Sequence, residues 1–305
     1  MQFKTLGNSN LNVSVIGLGT WVFGGDLWGG NRESDSIDAI SACLDYGVNF
    51  IDTAPIYGDG RSEEIIGRAI RKRRDKVIIA TKCGLIKKGR EVLHDLSPQS
   101  ILSEIDDSLR RLRCDYIDLY QCHWPDERTP INETLTTLLD LVQKEKIRYI
   151  GISNYPHNLM NDPMILENVV SLQSQYSILD RKVEKEDLPF CGKHNIGFIA
   201  YGVLGGGVLS GKYKTTPEFK KPDARKLLYK FYTETPLEKI NKFLNSLEEI
   251  NRPFHEIAIN WIRQKKFVGN VLVGCRNHKQ VIDNVKAVQW SLTKEEIALI
   301  DQFHL

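Results

Sequence analysis

KVIIATK (residues 76–82), SPQSILSEIDDSLRRL (97–112) and YIDLYQCHW (116–124) decide the fold of this chain. The first and third are short, nearly continuous apolar runs, the kind that a strand covered on both faces requires. The segment between them is amphipathic at helical spacing. Together they read as strand, crossover helix and parallel strand.

The same rhythm runs outward in both directions. VIGLGT (15–20) precedes the amphipathic ESDSIDAISACLDYG (33–47), NFIDTA (49–54) precedes SEEIIGRAIRKR (62–73), and YIDLYQCHW precedes NETLTTLLDLVQKE (132–145). RYIGISN (148–154), VVSLQSQ (169–175), IGFIAYG (196–202) and NVLVGC (270–275) supply four more strands, with helices expected near 157–167, 184–195, 253–265 and 278–288. No Pro/Gly/Ser-rich linker or composition break divides these eight units. They predict an α/β chain forming a single (β/α)8 TIM barrel domain over residues 1–305. FKTL and LNVSVI around the turn signal GNSN predict an N-terminal β-hairpin, and the segments near 236–249 and 291–304 predict extra C-terminal helices. The longest connection, 202–235, is rich in Gly, Lys and Pro, and loops of that length usually carry function or move.

Composition excludes several classes of protein. With 41% hydrophobic and 26% charged residues and a formal net charge of +2, the chain is an ordinary soluble globule with no long-range pull toward nucleic acid or a membrane. The six cysteines are scattered, with no CxxC pair, which argues against a disulfide framework and against a bound metal. MQFKTLGNSN lacks the basic and apolar regions of a signal peptide, and no apolar run is long enough to span a membrane. A cytoplasmic location is expected. Oligomeric state is unreadable, so a homo-oligomer stays open.

In such barrels the site lies at the C-terminal ends of the strands. Here strand two ends in Asp52, strand three in Lys82 and strand four in His123, with Tyr57 in the loop beyond Asp52. Each taken singly reads as a turn, packing, solvated or hydrogen-bonding residue. Neighbouring strands lie about 4.8 Å apart, however, so the four side chains meet above one rim. That set suits proton donation to a carbonyl oxygen as hydride reaches its carbon. An ammonium about 4 Å from a phenol stabilises the phenolate by about 4 kcal/mol at an effective dielectric of about 20, equivalent to up to about 3 pKa units before desolvation. Lys82 is thus expected to bring Tyr57 toward neutrality, Asp52 to keep the buried Lys82 charged, and His123 to orient the substrate oxygen.

GLGTW (17–21), LDYGVNFIDTAPIYGDGRSEEIIGRAI (44–70), VIIATK (77–82), SLRRLRCDYIDLYQCHWPD (108–126), RYIGISN and VGCRNHKQVIDN (273–284) resemble, in this order, the aldo-keto reductases. The likeness is strongest to the bacterial branch similar to the voltage-gated potassium channel β-subunits. It implies that Asp52, Tyr57, Lys82 and His123 form the family tetrad, with Tyr57 as general acid, and that NADPH/NADP+ is the cofactor. By the same resemblance, Ser153, Asn154 and Gln173 hold the nicotinamide carboxamide and Tyr201 stacks on its ring. Leu204, Gly206 and Lys212 then lie along the pyrophosphate, while Gly274, Arg276, Gln280, Asp283 and Asn284 take the adenosine end. Val273 stands where the family often has Pro, and Asp283 where it usually has Glu, which shifts the adenosine contacts slightly.

GGVLSGKY (206–213) reproduces GxxxxGK, but Tyr213 replaces the hydroxyl residue that a triphosphate loop uses for Mg²⁺. Trp21, Trp28 and Trp124 are candidates for an apolar substrate wall, or for packing of loops on the barrel rim. Arg276, beside a helix start, is expected to read the 2′-phosphate of NADPH through paired hydrogen bonds. The function expected is NADPH-dependent reduction of a small carbonyl or sugar-like substrate. A nucleotide-binding redox sensor and a sugar dehydrogenase running toward oxidation are the alternatives.

Overall fold

The computed structural model describes residues 1–25, 28–89, 91–219 and 223–303, leaving aside the side chains of Leu227 and Lys230. In chain order the strands are β1 (Phe3–Thr5), β2 (Asn12–Ser14), β3 (Ile16–Gly19), β4 (Phe50–Asp52), β5 (Ile78–Cys83), β6 (Leu85–Lys88), β7 (Glu91–His94), β8 (Ile117–Cys122), β9 (Ile147–Ser153), β10 (Val169–Gln175), β11 (Gly197–Tyr201) and β12 (Val268–Gly274). Strands β3, β4, β5, β8, β9, β10, β11 and β12 are parallel and close into a barrel, with β12 pairing back onto β3. Helices between successive strands make this the (β/α)8 barrel that the alternation predicts.

The opening unit shows why the local sequence folds as it does. Ser97 caps the helix Pro98–Leu112, its side chain accepting from Ser100 N, with proline in the first turn where no N–H is needed. Arg113, at φ +55°, ends it. Ile101, Ile105 and Leu112 are buried on the face turned to the barrel. The expected helix near 157–167 is instead two short pieces, His157–Met160 and Pro163–Asn168. Pro163 disfavours helical backbone at Asp162, which becomes the cap of the second piece. The extra helices form at Leu237–Ser246 and Lys294–Asp301; His304, at the end of the expected C-terminal segment, lies outside the described residues.

The strands β1 and β2 pair as the expected hairpin. Its loop closes the end of the barrel where the strands begin: Leu6, Leu11 and Val13 pack with Phe50, Ala80, Leu119, Val170, Ile199 and Leu272 in an inner apolar layer. Long-range hydrogen bonds fasten it there, Lys4 Nζ to the Val268 carbonyl at 2.8 Å and Asn270 Nδ2 to the Ser14 carbonyl at 2.7 Å. Among the described residues no helix is long and apolar enough to cross a membrane.

One element was not expected. Strands β6 and β7 form an antiparallel hairpin on the rim where the barrel strands end, between β5 and its crossover helix.

Leu6 is fully buried at the barrel floor. Leu6→Ala is expected to lower the unfolding free energy by about 2–5 kcal/mol through lost transfer energy and a residual cavity. Urea unfolding measures this, and a loss below about 1 kcal/mol would mean that the hairpin does not close the floor tightly.

Candidate active site

On each barrel strand the side chain two residues past the inner apolar layer faces the same way. Phe50, Ala80 and Leu119 belong to that layer, and the next residues on those faces are Asp52, Lys82 and Gln121, only 3%, 0% and 0% exposed. Cut off from water, they satisfy one another. Lys82 Nζ donates to Asp52 Oδ1 at 2.6 Å, to the Thr53 carbonyl at 2.8 Å and to Tyr57 Oη at 3.4 Å. Asp52 Oδ2 accepts from Gln173 Nε2 at 2.8 Å and from Gln121 Nε2 at 3.1 Å. Burial pulls the Lys82 ammonium below its ordinary range, and the charge and hydrogen bond of Asp52 oppose that pull.

Tyr57 is brought over this network by the turn after β4, in which Tyr57 N bonds the Ala54 carbonyl and Gly60 N the Pro55 carbonyl. Trp21 stacks on its ring at 5.5 Å between centroids, and His123 meets it edge-on at 6.0 Å. The expected lowering of Tyr57 toward neutrality does not occur. Burial first, and the Asp52 carboxylate second, push the phenol well above its ordinary range. The reason is geometric: the Lys82 charge is balanced by Asp52 at 2.6 Å, while Tyr57 Oη lies 3.4 Å away. Tyr57 therefore holds its proton at neutral pH. Burial, then the nearby Lys82, drives the His123 imidazole well below its ordinary range, so it is neutral.

Ser153, Asn154, Gln173 and Tyr201 converge at the ends of β9, β10 and β11. Asn154 adopts φ +59°, its N–H bonds the Gln173 carbonyl, and its side chain links His123 to Tyr201: Nδ2 donates to the His123 carbonyl at 3.1 Å and Oδ1 accepts from Tyr201 Oη at 2.9 Å. Gln173 is shared between this group and Asp52.

Beyond β11, Leu204 precedes three glycines of positive φ, Gly205, Gly206 and Gly207. A Cβ at Gly206 would come within 3.0 Å of the Tyr229 ring, and one at Gly207 within 2.8 Å of Lys212 Nζ. The space beside these glycines is thus already taken by the chain's own side chains, and the exposed Lys212 lies against the turn. No helix follows within residues 213–219, as a triphosphate loop requires.

Across the rim, Arg276 follows Gly274 and donates to the carbonyls of Trp28 and Gly30. Gln280 closes the start of the helix His278–Val285, its Oε1 accepting from Arg276 N at 2.8 Å. Asn284 is buried with Nδ2 on Cys275 Sγ at 3.2 Å, and Asp283 pairs with Lys286 at 2.9 Å. Trp21 and Trp28 face each other at 4.7 Å, whereas Trp124, 38% exposed, packs on His94 of β7 at 6.2 Å. Among the described residues no cluster of His, Cys, Asp and Glu is arranged to hold a metal.

Sequence reading passed over three residues here. Gln121 bonds Asp52, and its parity with Leu119 and His123 on one strand was the available signal. Arg225, ion-paired with Asp223 at 2.6 Å, approaches the same Gly29 as Arg276, and lies in a loop whose folding no periodicity announces. His94 sits on the unexpected hairpin.

The closed eight-stranded barrel agrees with the family comparison. The chain belongs to the aldo/keto reductase family, whose model matches residues 15–304, and it is an oxidoreductase of that family. It is 34% identical over 320 residues to an NADH-specific methylglyoxal reductase of Escherichia coli (strain K12), covering 98% of this chain and 97% of that one. It is 34% identical over 309 residues to a probable voltage-gated potassium channel subunit beta of Arabidopsis thaliana, covering 94% and 91%. A solved structure of a glycerol dehydrogenase from Gluconobacter oxydans superposes with a TM-score of 0.88 at 37% identity, covering 98% and 94%.

Removing one member of the buried pair should cost more than removing both. Lys82→Met is expected to destabilise the protein by about 3–5 kcal/mol, because Asp52 is left charged and buried, and adding Asp52→Asn should recover part of that loss. Thermal unfolding of single and double variants decides it; a double variant no more stable than Lys82→Met would show that the two do not act as a pair.

Proposed function

We propose that the protein reduces aldehydes or ketones to alcohols with NADPH, acting as one barrel domain over residues 1–305. The observation that carries this reading is the convergence of Tyr57 Oη, Lys82, Asp52 and His123 at one rim, directly beside Asn154, Gln173 and Tyr201. The exposed Lys212 beside the Gly205–Gly207 turn offers a positive charge to the pyrophosphate, and Ser153, Asn154 and Gln173 offer amide-holding groups at strand ends. When bound, the nicotinamide supplies the hydride.

The chain's own residues do the rest. Tyr57 is protonated at neutral pH and gives its proton to the carbonyl oxygen as negative charge develops there. Lys82 Nζ, 3.4 Å from Tyr57 Oη, offsets part of the cost of the phenolate that forms, a contribution that burial and the Asp52 carboxylate outweigh in the resting phenol. Asp52 keeps Lys82 charged between turnovers. The neutral His123 orients the substrate oxygen, and Trp21, Trp28 and Trp124 border the substrate. Such a division suits a reductase, since the acid is fully loaded before substrate arrives.

Preference for NADPH is supported by Arg276 and Arg225, whose guanidiniums approach the same Gly29 and share one carboxylate, Asp223. An excess of positive charge favours a phosphate dianion over a ribose hydroxyl. The Escherichia coli relative described as NADH-specific favours the opposite choice, and the glycerol dehydrogenase neighbour favours alcohol oxidation as a second reading. The scattered cysteines, with no CxxC pair, suit a cytoplasmic enzyme.

Tyr57→Phe removes the proton donor and keeps the ring against Trp21. Turnover of a small aldehyde should fall by roughly 10²–10⁴ while NADPH binding is retained; wild-type turnover in the variant would remove Tyr57 from the mechanism. Arg276→Ala should weaken NADPH by roughly 1.5–3 kcal/mol and leave NADH nearly unchanged. Fluorescence titration with both coenzymes tests this, and equal weakening would mean that Arg276 does not read the 2′-phosphate.

A further inference from the structure

The β6–β7 hairpin borders the site on two sides. Lys87 Nζ pairs with Asp59 Oδ2 at 2.6 Å, on the loop that carries Tyr57. At the other end the His94 ring bonds the Pro125 carbonyl through Nδ1 at 3.0 Å and packs on Trp124, while Arg128 donates to the His94 carbonyl. The hairpin therefore ties the Tyr57 loop to the His123–Trp124 loop. Its root is Gly84, at φ +88°, where any Cβ would also fall within 2.4 Å of Leu96 Cδ2.

Gly84 is held on both sides. Its carbonyl accepts from Asp95 N at 3.1 Å, and its N–H donates to Glu104 Oε1 at 2.9 Å. Glu104 projects from the helix Pro98–Leu112, is 8% exposed, and takes a second hydrogen bond from Ser100 Oγ at 3.3 Å. The titratable groups that face it are Asp95 at the hairpin's far root, Cys83 of β5, Tyr120 of β8 and Glu63 of the helix Arg61–Ala69. Glu63 is itself bound to Arg111 at 2.7 Å and Thr81 at 2.6 Å. Among the described residues no ion pair reaches Glu104, so its carboxylate would sit in a dry pocket with acidic neighbours.

We propose that Glu104 is the positioning residue that seats the β6–β7 hairpin across the substrate rim, and that seating is firmest when Glu104 is neutral. The link to substrate rests on the reductase reading above. Burial, more than the hydrogen bonds from Gly84 and Ser100 can offset, pushes the seated carboxyl up from 4.5 to about 7. Lifting the hairpin removes Gly84 from the carboxyl and admits water, which returns it toward the ordinary range. The seated form thus binds the proton more tightly, and seating weakens as pH rises from about 4.5 toward about 7 and then levels off.

Amide hydrogen exchange of residues 84–89 and 91–96 in the full-length protein, corrected for the pH dependence of chemical exchange, reads this directly. Wild-type protection should fall by on the order of fifty-fold between about pH 5 and pH 7.5 if lifting fully solvates the carboxyl. Glu104→Gln should be flat, and Ser100→Ala, which removes a bond favouring the ionised form, should carry the fall to higher pH. In parallel, KM for a small aldehyde should rise over the same window in wild type and stay level in Glu104→Gln, with kcat unmoved. A pH-independent hairpin in wild type, or the same dependence in Glu104→Gln, overturns the proposal whether or not the protein reduces aldehydes. A pH-dependent hairpin beside an unmoved KM overturns its connection to substrate.

Discussion

The 2.6 Å ion pair between Lys82 and Asp52 is the constraint around which the upper half of the barrel is organised. An ammonium and a carboxylate this deep each carry a desolvation cost of several kcal/mol, which their attraction offsets only if every remaining hydrogen-bonding position is filled. The residues that fill those positions are the ones that define the site. Thr53 and Tyr57 complete the ammonium, and Gln121 and Gln173 complete the carboxylate. Four barrel strands, β4, β5, β8 and β10, and one loop are thereby fixed relative to one another by a single electrostatic requirement.

That requirement also separates two jobs that share one interior. Below it, Phe50, Ala80, Leu119, Ile199 and Leu272 give the barrel an apolar core, capped by Leu6 from the N-terminal hairpin. One step further along the faces of β4, β5 and β8, the side chains become polar, as Asp52, Lys82 and Gln121. Stability and chemistry occupy successive layers of the same strands, so substitutions in the lower layer can be tolerated or not on packing grounds alone, whereas each member of the upper layer has several partners to disappoint.

Most of this was legible in the sequence because it follows from periodicity and position. Eight apolar runs separated by amphipathic segments specify the barrel, and Asp52, Lys82 and His123 stand out as polar residues closing apolar strands. The β6–β7 hairpin was not legible: LIKK and EVLH are short and largely exposed, and what holds them is contact with loops distant in sequence. The sign of the Tyr57 perturbation was missed for a related reason. A pairwise argument between a phenol and an ammonium omits the burial that disfavours the phenolate and the carboxylate that already neutralises the ammonium, and both depend on the folded environment. Arg225 was missed because its approach to Gly29 depends on the course of a long connection.

The seam between β3 and β12 bears on how such a chain reaches its fold while it is being made. The bonds from Lys4 to Val268 and from Asn270 to Ser14 join residues 264 and 256 positions apart. Until Val268–Gly274 has left the ribosome, the growing chain is an open parallel sheet in which β3 keeps one edge unpaired and the floor hairpin has only part of its docking surface. At synthesis rates of about 5–20 residues per second that interval lasts on the order of ten seconds or more. Closure is then a late, nearly whole-chain event, with a large loop entropy to overcome. The tight circular ladder that leaves the finished barrel without an edge is, during biosynthesis, the feature that makes the nascent chain dependent on protection from edge-to-edge pairing.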